Sequence, residues 1–231
     1  KRSPRDFKPH MNIGLVCLNW ANYRAAKGVD PDSMYRISIS AFSEAAKRNP
    51  HNGAVFFGRG RACSQWGISL FKRKKNPHKW FDRARNDYGK ALDFSTNKKG
   101  ILLALGNLYL NWSLHEKARG SDPKKRLDQA QEYYLRVMKL DPENPVARRQ
   151  IGVLRYNRAM DLEREGKDPV SELNAAIRYL SRAKEFGGGG PIMHESRAYA
   201  YYARGRYRAT RGENSLGDFR AALDDFSRAV D

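Results

Sequence analysis

The chain has 231 residues, near the upper size of an ordinary single-core domain, and 44 Lys and Arg against 25 Asp and Glu give it a net charge of +19. Such a charge favours acidic partners or anionic surfaces. No run approaches the roughly 18 apolar residues that span a bilayer and no secretory signal is visible, so an intracellular protein, cytoplasmic or nuclear, is expected.

Residues 1–6 read as a basic linker remnant, and the start on Lys1 suggests a piece of a longer protein. From residue 7 the sequence repeats every 46 residues, as 7–52, 53–98, 99–144, 145–190 and 191–231. Each copy holds a helix A, a joint and a helix B; in the first copy these fall at about 8–27 and 31–48. Helix A carries two columns of small residues, Gly14/Gly60/Gly106/Gly152/Ala198 and Ala21/Gly67/Ser113/Ala159/Gly205. Glycine inside a helix costs about 1 kcal/mol against alanine, so close approach of a second helix is expected there, with Phe42, Tyr88 and Tyr134 as fillers. Helix B opens on Asp30-Pro31, Asn76-Pro77, Asp122-Pro123, Asp168-Pro169 and Asn214-Ser215, where Asx caps the helix and, in all but the last, Pro takes its first position. A fixed period in this range is the mark of a solenoid, in which each unit packs only on its neighbours. Cys17 and Cys63 share one column about 10 Å apart, too far for a disulfide, and read as buried small residues in a reducing compartment.

The third copy shows the pattern most clearly: Leu105-Gly106, Tyr109, then Ala130, Tyr134, Val137 and Pro142. This resembles the tetratricopeptide repeat, with helix A and its turn lengthened by 12 residues over the usual 34. The resemblance covers about 7–231 and implies an all-α, right-handed superhelical solenoid of five helix-turn-helix hairpins, with helix A on its concave side. Arg155 stands where Tyr109 sets the aromatic, and Thr96 and Gly188 replace the joint proline. Gly187–Gly190 lack the Lys-Ser/Thr and the strand of a phosphate loop, and read as a loose joint.

Catalysis is not expected. The five histidines are scattered, none is near another, and no nucleophile-base arrangement, paired carboxylates or metal-spaced cluster occurs; no cofactor or metal is expected. Binding is expected instead. Asn19, Gln65, Asn111 and Asn157 form one column, followed by Ala203. On the concave side, carboxamides about 10 Å apart could pair with every third residue of an extended chain, which advances about 3.3 Å per residue. The alternative is that they bond the neighbouring helix. Met11, Phe57, Leu103, Val153 and Tyr199 would add apolar contact along that wall.

The next column reads Trp20, Trp66, Trp112, Arg158, Arg204 and is expected to lean toward the following copy as packing. With Arg149, and with Tyr156, Tyr199 and Tyr202 interleaved, Arg204 makes the fourth and fifth A helices a surface for an acidic or phosphorylated peptide, the alternative being a solvated face whose arginines pair with the Asp and Glu of the same copies. The same surface would suit single-stranded nucleic acid. Charge is uneven in another sense: residues 53–98 carry 11 basic and 3 acidic residues, and Lys72-Arg73-Lys74-Lys75 with Lys79 crowd the second turn. The pairs Met11/Leu15, Phe57/Arg61, Leu103/Asn107 and Arg149/Val153 lack the Lys and Asn of the family's chaperone-tail clamp. The expectation is a non-catalytic scaffold holding an extended acidic peptide, with RNA binding, or service as the docking arm of a larger enzyme, as alternatives.

Overall fold

A computed structural model describes residues 6–230; the linker remnant lies almost wholly outside them. The described residues form ten helices and no strand, and the chain is all-α as expected. The A helices are α1 (Lys8–Ala26), α3 (Gly53–Lys72), α5 (Lys99–Ala118), α7 (Pro145–Arg164) and α9 (Pro191–Ala209). The B helices are α2 (Asp32–Arg48), α4 (His78–Phe94), α6 (Lys124–Leu140), α8 (Val170–Glu185) and α10 (Leu216–Val230). Two compact units result, Lys1–Tyr133 and Tyr134–Asp231, the boundary falling inside α6.

Every B helix starts in the same way. Asp30, Asn76, Asp122, Asp168 and Asn214 each accept, at 2.8–3.2 Å, the amide two residues on. Pro31, Pro77 and Pro169 are the N-caps, one place before the expected first position. A residue preceding proline avoids the helical region, so the Asx stays outside and folds its side chain over the proline.

Every A helix also ends in one way. Gly28, Gly120, Gly166 and Gly212 are left-handed at φ 71–74°, and Lys74 adopts φ 58° at the same place in the second copy. The following amide reaches back five residues, as in Val29 to the Arg24 carbonyl at 2.9 Å and Lys75 to Leu70 at 2.8 Å. This is the closure that satisfies a helix's last carbonyls. Gly187 and Gly188 close α8 likewise, with the Gly188 amide 2.9 Å from the Ala183 carbonyl. The joint expected to be loose is therefore a hydrogen-bonded turn, and a Cβ on Gly188 would stand 2.6 Å from that carbonyl.

In the first unit α1 packs along α2, α3 along α4, and α3 lies against α1, α2 and α5; in the second, α7 pairs with α8, and α9 with α8 and α10. The glycine columns are holes for B-helix side chains, as expected. A Cβ on Gly60 would lie 2.7 Å from Tyr88, on Gly67 2.5 Å from Phe81, and on Gly152 2.6 Å from Leu180. Phe42 is enclosed twice, because Gly14 of its own hairpin and Gly58 of the next would each bring a Cβ within 2.8 Å of its ring. Beside it the Ser38 hydroxyl donates to the Gly14 carbonyl at 2.7 Å, tying α2 to α1.

Two buried polar clamps cross the hairpins. Arg59 forks onto Asp87 at 2.7 and 2.9 Å and donates to the Ser43 hydroxyl of the preceding hairpin at 3.2 Å. Arg197 repeats this with Asp225 at 2.6 and 2.7 Å and Ser181 at 3.2 Å, and His194 adds a contact to Asp225 at 2.8 Å. Asp225 is buried, which pushes its carboxyl up, but hydrogen bonds from Arg197 and His194 outweigh this and hold it below its usual value.

Two further expectations change. Cys17 is only half-buried, since no hairpin precedes the first one among the described residues; Cys63 is fully buried, and desolvation pushes its thiol up to about 12. His78 and His115 are neighbours after all, their ring centroids 4.9 Å apart, because the start of α4 meets the last turn of α5.

Candidate peptide-binding face

On an A helix, positions i, i+4, i+8 and i+11 share one stripe. In α1 this stripe is Met11, Leu15, Asn19 and Asn22; in α3 Phe57, Arg61, Gln65 and Ile68; in α5 Leu103, Asn107, Asn111 and Leu114. All twelve side chains are half-buried or exposed, whereas Gly14, Gly60 and Gly106 on the neighbouring stripe are buried. The first unit thus repeats, three times, an apolar side chain and an amide at matching places on an open stripe.

The amides differ in what they can offer. Asn19 and Gln65 are exposed, while Asn111 is half-buried and its Nδ2 donates to its own helix, at 2.8 Å from the Asn107 carbonyl. Gln65, Asn22 and Ile68 also line a cavity of about 380 Å³ between the first turn and the end of α3, floored by Val29, Pro31 and Tyr35. The Tyr35 hydroxyl donates to the Asn22 Oδ1 there at 2.8 Å. Asn22, Ile68, Leu114, Arg61 and Asn107 are not singled out as site residues by the sequence columns alone. The i+4 and i+11 neighbours of the Met11 column are the signal that finds them.

In the second unit the stripe behaves otherwise. Asn157, Arg149 and Val153 are half-buried, and Arg149 makes no salt bridge among the described residues. The fifth place of the amide column, Ala203, is buried against Ala159 and Leu173 of the preceding hairpin. Tyr156 packs against the same cluster and its neighbour, so its ring serves the core. Tyr199 and Tyr202 stay 44% and 48% exposed, leaning on Phe226 and Phe219.

The expected cationic surface of α7 and α9 is largely neutralised. Arg204 bonds Asp218 and, at 2.5 Å, Asn174; Arg208 bonds Asp218 at 3.0 Å; Arg206 forks onto Glu163; Arg155 reaches Glu172 at 3.0 Å. Arg204 therefore has no open cation for a ligand. Its column leans the other way from that expected: Trp66 donates its Nε1 to Asp32 at 2.7 Å and stacks on Tyr35, both of the preceding hairpin. Trp66 and Trp112 are buried at 5% and 2%, while Trp20 is 52% exposed.

Among the described residues no group of three or more His, Cys, Asp or Glu could hold a metal, and no helix is long and apolar enough to cross a membrane. Holes, caps and stacked hairpins of this kind define the tetratricopeptide-repeat fold, and the chain has that fold. It is similar over 96% of its length to YrrB, a tetratricopeptide protein described as having an unusual peptide-binding site, covering 87% of that chain at 16% identity and a TM-score of 0.53. TTC0263 of Thermus thermophilus, another such protein, matches 94% of this chain and 90% of its own at 17% identity, with a TM-score of 0.57. Human IFIT1, as a dimer with m7Gppp-AAAA, matches 99% of this chain but 43% of its own, at 14% identity and a TM-score of 0.63. No family model and no curated protein matches the sequence.

Proposed function

We propose that the chain is a non-catalytic protein-interaction scaffold whose A-helix stripe in the first unit holds an extended, acidic peptide. The observation that carries this reading is the recurrence on α1, α3 and α5 of one apolar side chain (Met11, Phe57, Leu103) and one amide (Asn19, Gln65, Asn111) at fixed places on an open stripe. The exposed amides of Asn19 and Gln65 can each satisfy a peptide N–H and C=O. Arg61, exposed between Phe57 and Gln65, supplies the charge for an acidic side chain. In the second unit Arg149, Val153, Asn157, Tyr199 and Tyr202 are the corresponding contacts; Tyr156 and Arg204 are held internally. The fold supports the reading, as does the description of YrrB as peptide-binding.

The test is fluorescence anisotropy with a pool of labelled acidic peptides. Phe57→Ala and the pair Asn19→Ala/Gln65→Ala should each weaken binding at least tenfold. Parent-like binding by both variants, or no peptide bound by the parent, overturns the reading.

A further inference from the structure

The turn edge of the first unit carries a row of cations that outnumbers the carboxylates beside it. Lys72, Lys74, Lys75 and Lys79 are exposed and make no salt bridge among the described residues. The nearby carboxylates, Asp30 and Asp32, are both taken by Arg73. The first and third turns add Lys27, Arg119, Lys124 and Lys125, all exposed, at the same ends of helices that pack side by side. Residues 1–133 hold 26 basic and 11 acidic residues, a net +15, whereas 134–231 hold 18 and 14, a net +4. Lys74 is the more telling for its backbone. Four copies place glycine at this left-handed position, and the second keeps a lysine there, in a conformation that costs any residue bearing a Cβ.

Trp80 lies beside these lysines, half-buried at the start of α4. Its ring stacks on Trp66 with centroids 3.9 Å apart, and the Lys79 Nζ stands 5.5 Å from it. We propose that this edge binds single-stranded nucleic acid through its phosphates, with Trp80 offering an aromatic surface to one base. Lys72 borders the cavity of Gln65 and Ile68, whereas Lys74, Lys75 and Lys79 do not line it; lysines at turn tips suit a ligand whose backbone repeats its charge and needs no side-chain reading. A sequence pI near 10.1 with eight exposed cations along these three turns is the electrostatic footprint of such binding.

The experiment titrates the full chain with a labelled oligouridylate of about twelve nucleotides across a salt series. Neutralising about four phosphates should give a slope near −3 in log affinity against log salt. The triple variant Lys72→Ala/Lys75→Ala/Lys79→Ala should lose at least tenfold in affinity and flatten that slope. Lys74→Gly should weaken binding while raising the thermal midpoint, since it relieves the backbone. Phe57→Ala and Asn19→Ala/Gln65→Ala should leave oligouridylate binding unchanged, which separates this site from the peptide stripe. Parent-like binding by the triple variant overturns the proposal. So does displacement of the oligonucleotide by polyglutamate at equal charge concentration, which would mark the edge as a dock for an acidic protein.

Discussion

Arg204 and Asp218 hold, in the fifth hairpin, the places that Trp66 and Trp80 hold in the second. A guanidinium–carboxylate contact, with Nε 3.1 Å from Oδ1, stands where two indole rings stack at 3.9 Å. The third hairpin is intermediate, the Arg126 guanidinium lying 3.9 Å above the Trp112 ring, and in the fourth the B-helix place is Glu172, bound by Arg155. The second, third and fifth hairpins thus keep one inter-helix contact while its chemistry passes from aromatic to ionic.

Asp218, nearly buried, accepts from both Arg204 and Arg208. Asp218→Ala should cost about 3 kcal/mol, because it removes the buried carboxylate that two guanidinium groups share. The double variant Arg204→Leu/Asp218→Leu should cost far less. Urea unfolding of both variants checks this, and a loss under about 1 kcal/mol for Asp218→Ala would show the bridge to be idle.

The glycine holes can be read by contrast. A methyl on Gly58 would stand 2.4 Å from the Phe42 ring, so Gly58→Ala should destabilise by about 1–3 kcal/mol. Gly89, inside α4, has nothing within 4 Å of where a Cβ would stand, so Gly89→Ala should stabilise by up to about 1 kcal/mol. Denaturation midpoints that shift in the same direction for both would contradict the packing described.

His115 titrates against its surroundings. Burial, then the neighbouring charges of His78 and Arg119, holds its imidazole below the ordinary value, with Glu116 opposing. A depressed value means that the neutral ring is the one the fold accepts. Its share of stability is therefore complete above about pH 6.5 and is lost as pH falls below that. His115→Phe keeps the edge contact to Phe71, 5.5 Å between centroids, and removes the proton. The thermal midpoint of the parent should fall between about pH 7.5 and 5.5 more than that of the variant.

Asp225 should act lower on the scale. Its carboxyl, held down against burial by Arg197 and His194, contributes stability above about pH 3.9 that is lost as pH falls further. Asp225→Asn should destabilise at neutral pH and blunt that acid loss, as followed by circular dichroism.

Much of the fold is legible because the period of 46 multiplies every local rule by five. The Asx-Pro starts and the glycine columns each rest on sterics that act within one hairpin, whereas the left-handed helix ends come into view only in the structure. Charge is misread when a column is taken alone. Arg204 reads as an open cation until its partner fourteen residues on comes into view, yet Trp80, Arg126, Glu172 and Asp218 already form a column of complements. The His78–His115 contact joins two copies at different columns, so no single-column reading exposes it.

The Arg59 and Arg197 clamps each draw a hydroxyl from the hairpin before and a carboxylate from their own. In the third and fourth copies the arginine's place is held by Leu105 and Ile151. The copies are therefore not interchangeable beads. A shuffled array that set the second hairpin after the third would place Leu135 where Ser43 stands and remove one of the three hydrogen bonds of Arg59, so a clamped hairpin favours a predecessor that offers a hydroxyl.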